Sequence, residues 1–167
     1  MRLINYPATT TSGLSGSAND IRAGEHTDYG SLTLLYREPS DQGGLQVRWG
    51  GSWKDVPCFD DAIVVNIGDA LEFWTAGRLR STVHRVAFPR SASENVGRLS
   101  IPVFIQPDRE VLLSPLMAGG GTGPAAGNED MMRKFNEVLE RKGYQSAKPV
   151  RSWEHLQSRI QATYKVA

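Results

Sequence analysis

The chain of 167 residues has a single cysteine, Cys58, so no internal disulfide can form, and one unpaired thiol fits a reducing, cytoplasmic setting. With no second thiol nearby, Cys58 reads as a small packing residue. Charge of one sign is not in excess either. Nineteen Lys and Arg face eighteen Asp and Glu, for a net charge of +1, and the two signs are scattered along the sequence. That balance argues against nucleic acid or an anionic membrane surface as a partner. No apolar run approaches the roughly 18 to 20 residues a membrane span needs, and Met1-Arg2-Leu3-Ile4-Asn5-Tyr6-Pro7 has no signal-peptide core. Internal repeats of solenoid or propeller length are also missing.

What is present is a series of short β-prone runs separated by turn residues. Arg2 to Tyr6 predicts a strand that stops at Pro7, and Ala8 to Asp20 has loop composition. Leu32 to Tyr36 is a second run. Leu45 to Trp49 and Ser52 to Val56 flank Gly50-Gly51, which predicts a tight hairpin. Ile63 to Ile67 is almost continuously apolar, as expected of a strand buried on both faces. Leu79 to Phe88 and Arg98 to Gln106 complete the series, with Pro102 pointing to an edge or a bulge in the last strand. Such spacing predicts a mainly β fold of the jelly-roll kind.

Residues 1–110 are expected to form that core, 111–127 a Gly-rich linker, and 128–167 two helices packed on the core. The first helix would start at Asn128, place Met131, Met132, Phe135, Val138 and Leu139 on one face, and stop at Gly143. The second would start at Ser152 with Trp153, Leu156, Ile160 and Tyr164 on its apolar side. His155 has no partner at ligand spacing and reads as a solvated or capping residue.

Glu25-His26-Thr27-Asp28-Tyr29-Gly30 carries the chemistry. If this stretch is extended, the His26 imidazole and the Asp28 carboxylate point to the same side. His84, in Ser81-Thr82-Val83-His84-Arg85-Val86, is the third candidate. Two imidazoles and one carboxylate on one face of a metal suit non-haem Fe(II). His-x-Asp alone is weak evidence, since polar turns before strands are common. Arg98-Leu99-Ser100 adds a guanidinium fork and a hydroxyl on one strand face, a pair suited to holding a carboxylate. Taken alone, such a pair is more commonly a surface ion pair beside a solvated serine.

Together, these residues resemble the 2-oxoglutarate- and Fe(II)-dependent dioxygenases of the isopenicillin N synthase-like superfamily. The resemblance also runs through Asn5-Tyr6-Pro7, Gly44-Leu45-Gln46-Val47, Trp53-Lys54-Asp55-Val56-Pro57 and Val65-Asn66-Ile67-Gly68-Asp69. It implies a double-stranded β-helix. It also implies iron held by His26, Asp28 and His84, the 2-oxoglutarate carboxylate held by Arg98 and Ser100, and O2 as the oxidant. Tyr6 matches a position that contacts the cosubstrate or the substrate, although a packed aromatic at a strand end fits it equally well. The implied reaction hydroxylates or desaturates a small organic substrate with release of succinate and CO2.

Family members carry a long segment before the Tyr-Pro position, whereas only Met1 to Asn5 precede it here. An incomplete β-helix is therefore expected, with Leu3 and Ile4 at an uncovered sheet edge that favours self-association. Two other readings stay open. One is an iron oxidase that dispenses with 2-oxoglutarate, in which Arg98 and Ser100 bind a substrate carboxylate. The other is an inactive relative that serves as a binding module. A zinc hydrolase fits less well, because it leaves the Arg98 and Ser100 pair without a role.

Overall fold

Alternation of inward and outward side chains along short β-prone runs requires a second layer to bury the inward set. The computed structural model meets this with two four-stranded sheets. It describes residues 1–9, 21–40, 42–116, 128–144 and 148–164. Those residues contain β1 (Ile4–Tyr6), β2 (Ile21–His26), β3 (Leu32–Arg37), β4 (Leu45–Trp49), β5 (Ser52–Asp55), β6 (Ile63–Ile67), α1 (Asp69–Trp74), β7 (His84–Ala87), β8 (Arg98–Ile105), β9 (Leu112–Leu113), α2 (Asn128–Arg141), β10 (Val150–Arg151) and α3 (Ser152–Tyr164). One sheet has the order β1-β8-β3-β6 and the other β2-β7-β4-β5. The chain thus passes back and forth between the sheets, as a double-stranded β-helix does.

The chain divides into two compact units. The first comprises Met1–Thr27, Thr33–Asn66 and Thr82–Phe104, and the second Asp28–Leu32, Ile67–Ser81 and Ile105–Ala167. In the first unit, β4 and β5 form the expected hairpin, with Trp49 paired to Ser52. Gly50 and Gly51 sit at φ 57° and 79°, left-handed values that a tight two-residue turn needs and that most side chains resist.

Buried positions on the β1-β8-β3-β6 sheet are largely polar. Thr33 and Arg37 on β3 and Arg98 and Ser100 on β8 are all buried. Its other face is apolar and open: Leu99, Tyr36, Ile63 and Val65 are exposed there, Val65 by 57%. The expectation that Ile63 to Ile67 is buried on both faces therefore fails, since Ile63 and Val65 are exposed. β1 closes one end of the sheet order, and Leu3 beside it is 73% exposed.

Pro102 is neither on an edge strand nor exposed, because β8 lies between β1 and β3. β1 pairs only as far as Ser100, and beyond that the Arg2 amide donates to the Pro102 carbonyl at 3.0 Å. The missing proline N–H thus falls past the last assigned β1–β8 pair, so it removes no bond from that ladder.

The second unit holds the apolar core, formed by Ala70, Phe73, Ala76, Leu113, Phe135, Val138 and Leu139. Phe73 and Phe135 meet edge to face with ring centroids 6.0 Å apart. α2 presents the expected face and ends at Gly143, whose φ of 86° lets the Tyr144 amide turn back to the Leu139 carbonyl at 3.0 Å. α1, β9 and β10 have no counterpart in the sequence reading.

α3 forms as expected, but its buried side differs. Trp153 and Ile160 are 37% and 39% exposed, whereas His155 is 1% exposed. Tyr164 has only its backbone described. His155 is thus neither solvated nor a cap: its Nδ1 meets the Tyr144 hydroxyl at 2.6 Å and its Nε2 lies 3.2 Å from Asp69. No helix among the described residues is long and apolar enough to cross a membrane. Of the expected linker, residues 117–127 lie outside the described residues.

Candidate functional site

β2 and β7 are antiparallel neighbours, and their register sets His26 directly opposite His84. The two rings lie 4.3 Å apart between centroids, tilted by 53°. Each ring is fixed from behind by a backbone carbonyl two residues before it. His26 Nδ1 lies 2.8 Å from the Gly24 carbonyl and His84 Nδ1 lies 3.1 Å from the Thr82 carbonyl. A carbonyl can only accept, so each Nδ1 carries the hydrogen and Nε2 is the nitrogen each ring can offer a metal. This is how a protein prepares imidazoles for a metal.

Asp28 follows two residues after His26 on the same stretch and is buried. One ligand atom from each of His26, Asp28 and His84 falls within 4.8 Å of the others. Two nitrogens and one carboxylate oxygen at that separation suit a first-row divalent metal, and the chemistry of the set fits Fe(II). The three candidates that sequence spacing singled out are therefore brought together.

The second cluster lies on the buried face of the β1-β8-β3-β6 sheet. Tyr6 is paired with Arg98 and Ile4 with Ser100. Arg98 Nη1 donates to Ser100 Oγ at 2.5 Å, and the Arg98 guanidinium sits 4.6 Å from the centre of the Tyr6 ring. Burial, then repulsion by Arg37, lowers the Arg98 pKa from its ordinary value. No ion pair among the described residues neutralises Arg98, and its Nε is buried without a hydrogen-bond partner. A buried cation with an unused donor is costly, and a carboxylate is the kind of group that would relieve it.

Burial raises the Tyr6 pKa, and the opposing pull of Arg98 and Arg22 offsets this only in part. The phenol therefore keeps its proton at neutral pH and remains a donor. Arg22, on β2, donates to the Pro7 carbonyl at 2.7 Å and lies 5.8 Å from the Tyr6 ring centre. Neither Arg22 nor Arg37 was singled out by sequence. One arginine in a strand carries no mark of burial, and only the sheet register turns it inward.

Residues 1–107 match the model of the 2OG-Fe(II) oxygenase superfamily. A proline hydroxylase of Petromyces alliaceus is 33% identical over 170 residues, covering 98% of this chain and 46% of that protein. The validamycin A dioxygenase of Streptomyces hygroscopicus subsp. limoneus is 36% identical over 140 residues, or 80% of this chain and 38% of that protein. Among solved structures, a full-length Neurospora crassa protein in complex with alpha-KG aligns with a TM-score of 0.72 at 30% identity, covering 97% of this chain and 44% of that one. The chain spans less than half the length of these relatives.

Proposed function

Because the chain belongs to the 2OG-Fe(II) oxygenase superfamily, we propose that it is the iron- and cosubstrate-binding part of a dioxygenase acting on a small organic substrate. The observation that carries this reading is the pair of imidazoles, each tied through Nδ1 to a backbone carbonyl, with one ligand atom of each within 4.8 Å of the Asp28 carboxylate. In this reading His26, Asp28 and His84 hold Fe(II). Three ligands on one face leave positions for a 2-oxo acid and O2.

Arg98 and Ser100 take the distal carboxylate of 2-oxoglutarate, with the fork and the hydroxyl as donors. Tyr6 supports the guanidinium with its ring and offers a neutral hydroxyl to the same carboxylate. Iron with 2-oxoglutarate and O2 would supply the oxidation, in which the 2-oxo acid is consumed to succinate and CO2 while the substrate is hydroxylated or desaturated. The chain's own contribution is to orient these groups and to keep water from the buried clamp. The lone Cys58 accords with a cytoplasmic location.

Anaerobic addition of Fe(II) and then 2-oxoglutarate tests the reading. A visible charge-transfer band is expected for the chelate, and admitting air is expected to yield succinate. Folded protein that takes up Fe(II) yet shows no band overturns it.

A further inference from the structure

The clamp just described leaves one buried guanidinium unexplained. Arg37, on β3, is 8% exposed. Across the β3–β8 pair the Glu38 amide donates to the Leu99 carbonyl at 3.1 Å, and the Leu99 amide donates back to the Glu38 carboxylate at 2.7 Å. Residues 38 and 99 are therefore neighbours. Side chains alternate along each strand, so Arg37 and Ser100 share the opposite, buried face.

Arg37 Nη1 donates to the carbonyls of Val56 and Pro57 at 3.1 and 3.0 Å. Among the described residues its Nε and Nη2 are buried with no hydrogen-bond partner, as is Nε of Arg98. None of the ion pairs among the described residues includes either arginine. Two guanidiniums on adjacent strands, dry and repelling each other, are a poor arrangement for stability alone. An arginine needed only to tie down residues 56 and 57 would not require Nε and Nη2 to be buried as well.

We propose that Arg37 is a second guanidinium for the distal carboxylate of the cosubstrate, so that Ser100 is flanked by Arg98 on its own strand and Arg37 on the next. The assignment rests on the cosubstrate reading and extends it to a residue chosen by sheet register. Its consequence is sharper selection of a 2-oxo acid that ends in a carboxylate over one that ends in a methyl group.

The full chain loaded with Mn(II) binds without turnover, and calorimetry then gives affinities for 2-oxoglutarate and for 2-oxopentanoate, whose tail ends in methyl. Arg37→Gln is expected to weaken 2-oxoglutarate about tenfold or more, the size of a lost charged hydrogen bond, while leaving Mn(II) and 2-oxopentanoate affinities unchanged. Arg37→Lys, which keeps the charge but not the fork, is expected to fall between the two. If Arg37→Gln does not fold, the lysine variant decides alone. Folded variants that keep the wild-type preference overturn the role of Arg37 and leave the cosubstrate reading standing. A wild-type chain that binds Mn(II) but no 2-oxoglutarate overturns the cosubstrate reading itself.

Discussion

His155 Nε2 lies 3.2 Å from Asp69 Oδ2, and the two side chains are 1% and 0% exposed. The contact is an electrostatic one, off the line of a hydrogen bond. Lys142 also meets Asp69, and it lies 3.2 Å from Glu72, which Arg141 reaches at 2.6 Å. α1 and the chain from the end of α2 to α3 are thus joined by buried charge within the second unit. Burial by itself would raise the Asp69 carboxyl, but His155 and Lys142 outweigh it and hold the group well below the usual carboxylate range.

Asp69→Asn is therefore expected to destabilise the protein by about 1.5–3 kcal/mol, because Lys142 loses one of its two buried carboxylate partners. The pH dependence follows from the sign of the shift. A depressed folded pKa means that Asp69 contributes fully above the unfolded value of about 4 and that this contribution drains away as pH falls below it. Urea unfolding between neutral and acid pH should show that loss in the wild type and a flatter profile in Asp69→Asn.

Removing a metal ligand should act on binding before it acts on folding. His84→Ala is expected to lower Mn(II) affinity by more than the roughly 10- to 100-fold that loss of an outer partner costs. Because His84 is half-buried on a strand flanked by β2 and β4, the thermal midpoint of the metal-free protein should move little. Titration calorimetry and a metal-free melting curve together check this.

Gly68 is packed against the backbone carbonyl of Gly30, where an added Cβ would collide, whereas Gly24 has nothing within 4 Å. Gly68→Ala should therefore cost about 1–3 kcal/mol through a forced backbone shift. Gly24→Ala should be close to neutral. Denaturant midpoints of the two variants measured side by side provide the comparison.

The open apolar face of the β1-β8-β3-β6 sheet makes a separate forecast. Val65 is 57% exposed there, and Val65→Lys should change stability by no more than about 0.5 kcal/mol. If that face drives self-association, the variant will stay monodisperse to higher concentration than the wild type. Sedimentation across a concentration series reads the difference.

Most strands were legible because each short run carries its own period and its own stop; β9 and β10, two residues each, were not. Gly50-Gly51 marked the hairpin, and the α2 face was visible from Met131 to Leu139. What failed was burial. Ile63 to Ile67 looks apolar on both sides, yet whether a face is covered depends on what packs there and not on the run itself. α1 was missed because six residues are too few to show a helical period. His155 was misread because its partners, Asp69 and Tyr144, are too far along the chain for any local pattern to link them.

By itself the sequence determined which atoms are available: two imidazoles and a carboxylate, and a guanidinium two residues before a hydroxyl. Residue type and a spacing of two are enough for that, since a strand turns alternate side chains to one face. Only the tertiary structure decided that His84 lies across from His26, that backbone carbonyls hold both rings by Nδ1, and that Arg37 falls on the buried sheet face that carries Ser100. Those are matters of register between strands far apart in sequence. A shift of one residue would turn each of these side chains to the other face.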